Sequence, residues 1–255
     1  MNSYPTPHLY RKVPEITIVF WIAKLLTTAV GESTSDFLVF KINPYVAVSL
    51  GGIGFVIALL LQFSTRRYVP WVYWLTVAMV AIFGTMAADV LHIQLGVPYV
   101  MSTLFFAIAL AVVFIAWQAS EKTLSIHSIN TRRRELFYWA TVMATFALGT
   151  AAGDMTAVTL GWGYFSSGLL FAGLIAIPAL GSWWFGMNEI FAFWFAYIVT
   201  RPLGASFADW AGKPHAIGGL GLGDGPVSLC LTILIVGFVT YMTLSRKEVK
   251  RERVT

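Results

Sequence analysis

The sequence predicts an all-α integral membrane protein of eight transmembrane helices, arranged as four parallel two-helix repeats with pseudo-fourfold symmetry. Three observations predict it. The chain is 58% hydrophobic and 11% charged over 255 residues, with a mean hydropathy of +0.74, whereas a soluble domain carries about a quarter charged residues. Its apolar residues fall into eight segments close to the ~20 residues a spanning helix needs. Finally, one spacing recurs in register: aromatic-Trp, nine residues, Gly, four residues, Asp.

The copies read Phe20-Trp21…Gly31…Asp36, Tyr73-Trp74…Gly84…Asp89, Tyr138-Trp139…Gly149…Asp154 and Phe193-Trp194…Gly204…Asp209. After a tail (1–13) that shows no cleavable-signal pattern, the first repeat (14–65) carries spans at 15–35 and 45–64, the second opening on Pro44-Tyr45. The second repeat (66–118) has spans at 69–90 and 98–118, with Pro98-Tyr99 at the equivalent place. A basic loop (119–134) leads to the third repeat (135–186), with spans at 135–154 and 162–184 and Gly163-Tyr164 between them. The fourth repeat (187–245) has spans at 189–209 and 226–245, separated by a Gly-rich stretch from Ala211 to Pro226. A second basic tail (246–255) follows. Each repeat is a hairpin of two spans, so all four enter the membrane in the same orientation.

Charge placement orients the chain. Of 17 basic residues, 13 fall on one side of the proposed membrane: Arg11, Lys12, Arg66, Arg67, Lys122, Arg132, Arg133, Arg134, Arg246, Lys247, Lys250, Arg251 and Arg253. The positive-inside rule then puts both termini and the 119–134 loop in the cytoplasm. The net charge of +5 is therefore topological, and nucleic-acid binding is excluded as its explanation. A single cysteine, Cys230, excludes an internal disulfide framework or thiolate metal site. The Gly-rich stretch lacks the Gly-Lys-Ser/Thr ending of a phosphate loop and reads as an external or re-entrant loop. His8, His92, His127 and His215 lie in tails or loops without metal-helix spacing, and no nucleophile-base arrangement stands out, so no enzyme activity and no cofactor are expected.

The remaining charges lie inside the spans, where ionisable groups are costly and face the bundle interior, pair, or line a wet pathway. Glu32 and Asp36 share a helical face if the helix continues through them. With Asp89, Asp154 and Asp209 at matching depth, and Thr85, Thr150 and Ser206 nearby, they offer hard oxygen donors suited to Mg²⁺, Mn²⁺ or Ca²⁺. The competing reading has each Asp cap the segment that follows it. Lys24 and Arg201 are the embedded bases, too far along their own helices from Glu32 and Asp209 to touch them, so their expected partners come from neighbouring repeats. Gly31, Gly84, Gly149 and Gly204, each in a run of small residues, suit close helix packing, and Trp21, Trp74, Trp139 and Trp194 read as packing residues between repeats. Glu15, Glu135 and Glu189, near the starts of odd-numbered spans, read as acids favourably placed at helix N-termini.

The pattern resembles a bacterial membrane-protein family built of four tandem "repeat of unknown function" units, each with two spans and a characteristic tryptophan. The likeness runs from about Pro14 to Ser245 and rests on the four in-register tryptophans. It implies eight spans and an inner-membrane location but points to no particular activity.

From the residues, the expectation is a transporter exporting a hard divalent cation (Mn²⁺ or Mg²⁺) through a central site of Glu32, Asp36, Asp89, Asp154 and Asp209, with Lys24 and Arg201 as counter-charges. Its partners would be the lipid bilayer and the small cation. Two alternatives stay open: a non-transporting scaffold or sensor whose acids form structural salt bridges, and an exporter of organic cations held by acidic and aromatic contacts. Oligomeric state is left undetermined.

Overall fold

The computed structural model describes residues 11–252, except the side chains of Ile93 and 245–252. Most of the predicted N-terminal tail and the last three residues lie outside this range. The described residues form eight long helices: α1 (Ile18–Lys41), α2 (Pro44–Ser64), α3 (Pro70–Asp89), α4 (Tyr99–Glu121), α5 (Arg132–Asp154), α6 (Gly163–Phe185), α7 (Glu189–Gly212) and α8 (Asp224–Glu252). Seven are long and apolar enough to cross a membrane; α1, with Lys24, Glu32 and Asp36 in its interior, is not among them.

Local chemistry fixes the helix ends. Thr17 and Thr131 accept hydrogen bonds from the first turns of α1 and α5, and Asn43 and Asn188 do the same for α2 and α7. Pro44 and Pro70 occupy first-turn positions, where a missing N–H costs nothing. Several expected boundaries shift. α1 runs past Asp36 to Lys41, α5 starts inside the expected 119–134 loop, and α8 continues into the expected C-terminal tail.

The odd-numbered helices close a ring: α1 packs on α3, α3 on α5, α5 on α7 and α7 back on α1. Each even-numbered helix packs mainly on the odd helix of the next repeat, α2 on α3, α4 on α5, α6 on α7 and α8 on α1. The chain's last helix thereby braces its first. The repeated motif supplies the ring's contacts, and they run cyclically. Phe20 packs on Trp74 (5.8 Å between ring centroids), Tyr73 on Trp139 (5.7 Å), Tyr138 on Trp194 (6.2 Å) and Phe193 on Trp21 (5.7 Å). The glycines repeat the relation one level along. A β-carbon on Gly31 would meet Ala81, one on Gly84 Phe146, one on Gly149 Arg201, and one on Gly204 Thr28. Each glycine thus faces the residue three positions before the glycine of the next repeat, and such close approach needs a side chain no larger than hydrogen.

Candidate functional site

Along the ring interior, side chains recur every fourth residue, so α1 contributes Phe20, Lys24, Thr28, Glu32 and Asp36 in succession. At the motif's aromatic end the interior is shut. The Tyr73 and Tyr138 hydroxyls lie 2.5 Å apart, fully buried, with Phe20 and Phe193 completing the layer. One turn further, the buried Lys24 ammonium lies over the rings of Phe146 (3.9 Å) and Tyr197 (4.1 Å), with no hydrogen-bond partner. Lys24 therefore has no carboxylate neighbour in an ion pair among the described residues.

Arg201 closes the middle. Its side chain is fully buried, and one terminal nitrogen, Nη2, lies 2.5 Å from Glu32 Oε2 and also donates to the hydroxyls of Thr85 and Thr150. Glu32, Thr85 and Thr150 are the residues immediately after the motif glycines of the first three repeats. One guanidinium from the fourth repeat thus ties together the other three. Its Nη1 reaches the Thr28 carbonyl at 3.3 Å. The expected partner from a neighbouring repeat is Glu32.

Beyond Arg201 lies an acidic vestibule. Glu32, Asp36 and Asp209 are buried, and each offers one carboxylate oxygen within 4.8 Å of the others. Asp89 and Asp154 are half-buried and close enough to feel the charges of Glu32 and Asp36. Neither has an ion-pair partner among the described residues. In these two repeats the Asp is followed by a π-helical turn, Val90–Gln94 or Met155–Thr159, a distortion that often marks functional positions. No side-chain cap bond is made by Asp89 or Asp154, and Asp36 and Asp209 lie inside their helices. Capping therefore does not account for the four aspartates. Ser206 lies beside them with its buried hydroxyl unpartnered.

The cation that meets this vestibule is one the sequence reading placed in a loop. Lys213, just past α7, bonds Asp36, and its ammonium lies 3.8 Å from Asp209 and 3.9 Å from Asp224 at the start of α8. Burial opposes the charge on Lys213, but the Asp36 and Asp209 carboxylates outweigh it and hold the ammonium well above the usual lysine range. The signal was present in the sequence, because Lys213 follows Asp209 at the i,i+4 spacing of a helix face. The Gly-rich stretch folds back beneath it. Leu220, Leu222 and Gly223 donate backbone bonds to the carbonyls of Trp210, Ala211 and Gly212, and Gly221 bonds Lys213. A β-carbon on Gly219 would run into the Lys213 backbone, so the loop needs glycine there to close.

Of the other candidates, Trp74, Trp139 and Trp194 are buried in the core, while Trp21 is half-buried. Glu135 is not simply an N-terminal acid. It is 1% exposed, lies 2.5 Å from Lys12 Nζ and accepts from Gln62 at 3.1 Å. Glu15 and Glu189 are exposed.

Four consecutive segments, 19–68, 72–123, 137–187 and 192–248, match the family described as Repeat of Unknown Function (DUF347). They cover most of the chain, which belongs to that family. No curated protein and no solved structure matches it.

Proposed function

We propose that this member of the four-repeat family is a membrane transporter that exports a hard divalent cation, Mn²⁺ or Mg²⁺, through the centre of the ring. All eight helices would span an inner membrane as parallel hairpins with pseudo-fourfold symmetry, both termini in the cytoplasm and the vestibule on the opposite side. The observation that carries the reading is the convergence of Glu32, Asp36 and Asp209 within 4.8 Å, from the first and last repeats, at the mouth of a ring shut at its other end. Support also comes from Asp89 and Asp154, whose carboxylates add oxygen donors that form no ion pair among the described residues. Carboxylates gathered this closely repel one another strongly, so a bound cation stabilises them. Oxygen-only donors favour hard ions over soft ones.

Lys213 would then act as a tethered stand-in for the transported ion, filling the site when it is empty and swinging out with its glycine-rich loop when a cation binds. Transport further requires the Arg201 latch and the Tyr73–Tyr138 layer to part, since both block the interior. The Arg201 network also favours a second reading, a static scaffold, because every one of its bonds holds repeats together.

Flux of a panel of divalent cations into proteoliposomes separates the two. Saturable movement of one ion, abolished in Asp36→Asn and Asp154→Asn proteins of normal fold, is the expected result. Undiminished flux in both variants, or no flux of any ion with or without a proton gradient, would overturn the transport role.

A further inference from the structure

Away from the acids, a large cavity of about 650 Å³ lies between α1, α6, α7 and the segment Leu124–His127. That is within the range of small-molecule sites. It follows α7 from Glu189 to Leu203, about 21 Å at 1.5 Å per residue. Its walls are apolar along this length, and its outer side is open, since Ile18, Ile22 and Ala179 keep exposed surface.

The internal repeat explains why the cavity exists. Trp194 is sealed by Phe114 and Trp117 of α4, with ring centroids 5.1 and 5.8 Å away. Trp21 is the equivalent ring of the first repeat, and it lines the cavity. Aligning the second spans on Tyr99 and Tyr164 puts Ala179 where Phe114 stands and Ser182 where Trp117 stands. Both replacements line the cavity. The same alignment puts Phe63 of α2 at the Trp117 position, and Phe63 packs on the core. The aromatic pair that seals Trp194 is therefore missing beside Trp21, at the seam between the last repeat and the first. Pro178, within α6, also faces this space, and its missing N–H leaves the helix free to bow there.

The ionisable groups that line the cavity gather at one end, and with Arg11 beside them they offer both signs of charge. His127 and Glu189 line it, and Arg11 Nη2 lies 2.7 Å from His127 Nδ1. Burial, and then the Arg11 guanidinium, hold the imidazole below its ordinary range; since Arg11 can only donate, Nδ1 accepts from it, and the ring's other nitrogen carries the proton as a donor. Two donors suited to a phosphate thus stand beside a carboxylate suited to an ammonium, at the mouth of an apolar slot.

We infer that this cavity is a binding site for a zwitterionic, amine-bearing phospholipid, with one acyl chain along α7, its phosphate on Arg11 and His127, and its ammonium on Glu189. The site lies on the α1–α7 seam, where Thr28 also meets the Thr200 carbonyl at 3.4 Å, so the lipid would replace the absent aromatic seal and brace the ring at its closure.

The test is native mass spectrometry of the full chain after exchange into equimolar ethanolamine- and glycerol-headgroup phospholipids with identical chains. The expected result is one retained ethanolamine lipid per protein, preferred about tenfold, a difference near 1.4 kcal/mol. Ser182→Trp with Ala179→Phe, which restores the second-repeat pair, should abolish retention, whereas Glu189→Gln, an exposed change that leaves the packing intact, should keep a lipid but lose the headgroup preference. Equal retention of both headgroups by the unaltered protein, no retained lipid, or an undiminished preference in Glu189→Gln would overturn the assignment. None of these readouts depends on ion transport, so their failure leaves the vestibule reading untouched.

Discussion

Gly204 of α7 rests directly on Thr28 of α1, with no space between them for another atom. A β-carbon at position 204 would collide with the Thr28 hydroxyl and sit 2.8 Å from its Cβ and 3.2 Å from the Ala29 amide nitrogen. The Thr28 Cβ is fixed to its own backbone and cannot step aside as the far end of a flexible side chain can, so Gly204→Ala should force the ring open at its closing seam. The expected loss is about 1–3 kcal/mol, typical of overpacking. Gly173→Ala in α6 is the control, since a β-carbon there meets nothing within 4 Å; it should be neutral or stabilise by up to about 1 kcal/mol. Reversible denaturation in mixed micelles measures both.

The Arg201 latch gives a second prediction. Removing one member of a buried ion pair costs about 3–5 kcal/mol, because the survivor is left uncompensated. Arg201→Ala should therefore destabilise the fold by that order, and so should Glu32→Ala. Deleting both should cost clearly less than the sum, since no stranded charge remains. Thr150→Val, which removes one acceptor of the same guanidinium, should cost only about 1 kcal/mol. Arg201→Lys should not restore full stability, because the shorter side chain stops short of the point where Nη2 meets Glu32, Thr85 and Thr150, and it loses the Nη1 bond to the Thr28 carbonyl.

Much of this arrangement was legible in the sequence, and for one reason. The aromatic-Trp and the glycine make contacts between repeats, so four copies must keep the same spacing to close a ring of four helices. The depth of the acids follows from the same register. Pairings outside the motif were not legible. The partner of Asp36 is Lys213, in a loop whose return path depends on backbone bonds to Trp210, Ala211 and Gly212 that no periodicity announces. Lys24 looked like a counter-charge because it is a buried base, yet ring faces surround it instead of acids. The non-spanning rating of α1 has the same origin. A helix that carries the ring's interior charges lowers its own hydropathy, although it sits as centrally as α3, α5 and α7.

Magnitude separates two accounts of Glu135. An acid that merely complements a helix N-terminus is worth about 0.3–1 kcal/mol. Glu135 instead forms a buried pair with Lys12 and accepts from Gln62, and breaking such a pair costs about 3–5 kcal/mol. Glu135→Gln should fall nearer the larger figure. It should also release the segment around Lys12, whose backbone N–H donates to the Ile129 carbonyl, and limited proteolysis at that segment would report the release. A loss below 1 kcal/mol with unchanged proteolysis would restore the simpler account.

Lys213 supplies the last prediction, which concerns pH. Its folded-state value is raised above the ordinary lysine value of about 10.4. The stabilisation this brings is fully present below the unfolded value and is lost only as pH rises through the folded one. Between about pH 6 and 9 the ammonium therefore stays charged, so any change in its hold on Asp36 over that range comes from the carboxylate side. If Lys213 competes with an incoming cation, Lys213→Ala should tighten cation binding about tenfold at about pH 8.5 by removing a competitor that keeps the site closed, and any smaller gain at about pH 6.5 would trace to the acids, since Lys213 is charged at both values. Lys213→Arg should keep the site closed, since the charge and reach are preserved. Isotherms of Mn²⁺ or Mg²⁺ binding to the purified protein at the two pH values measure this. An unchanged affinity in Lys213→Ala would show that the loop covers the acids without competing for them. A tightening confined to one pH would mean that a different group, titrating in that window, governs access to the vestibule.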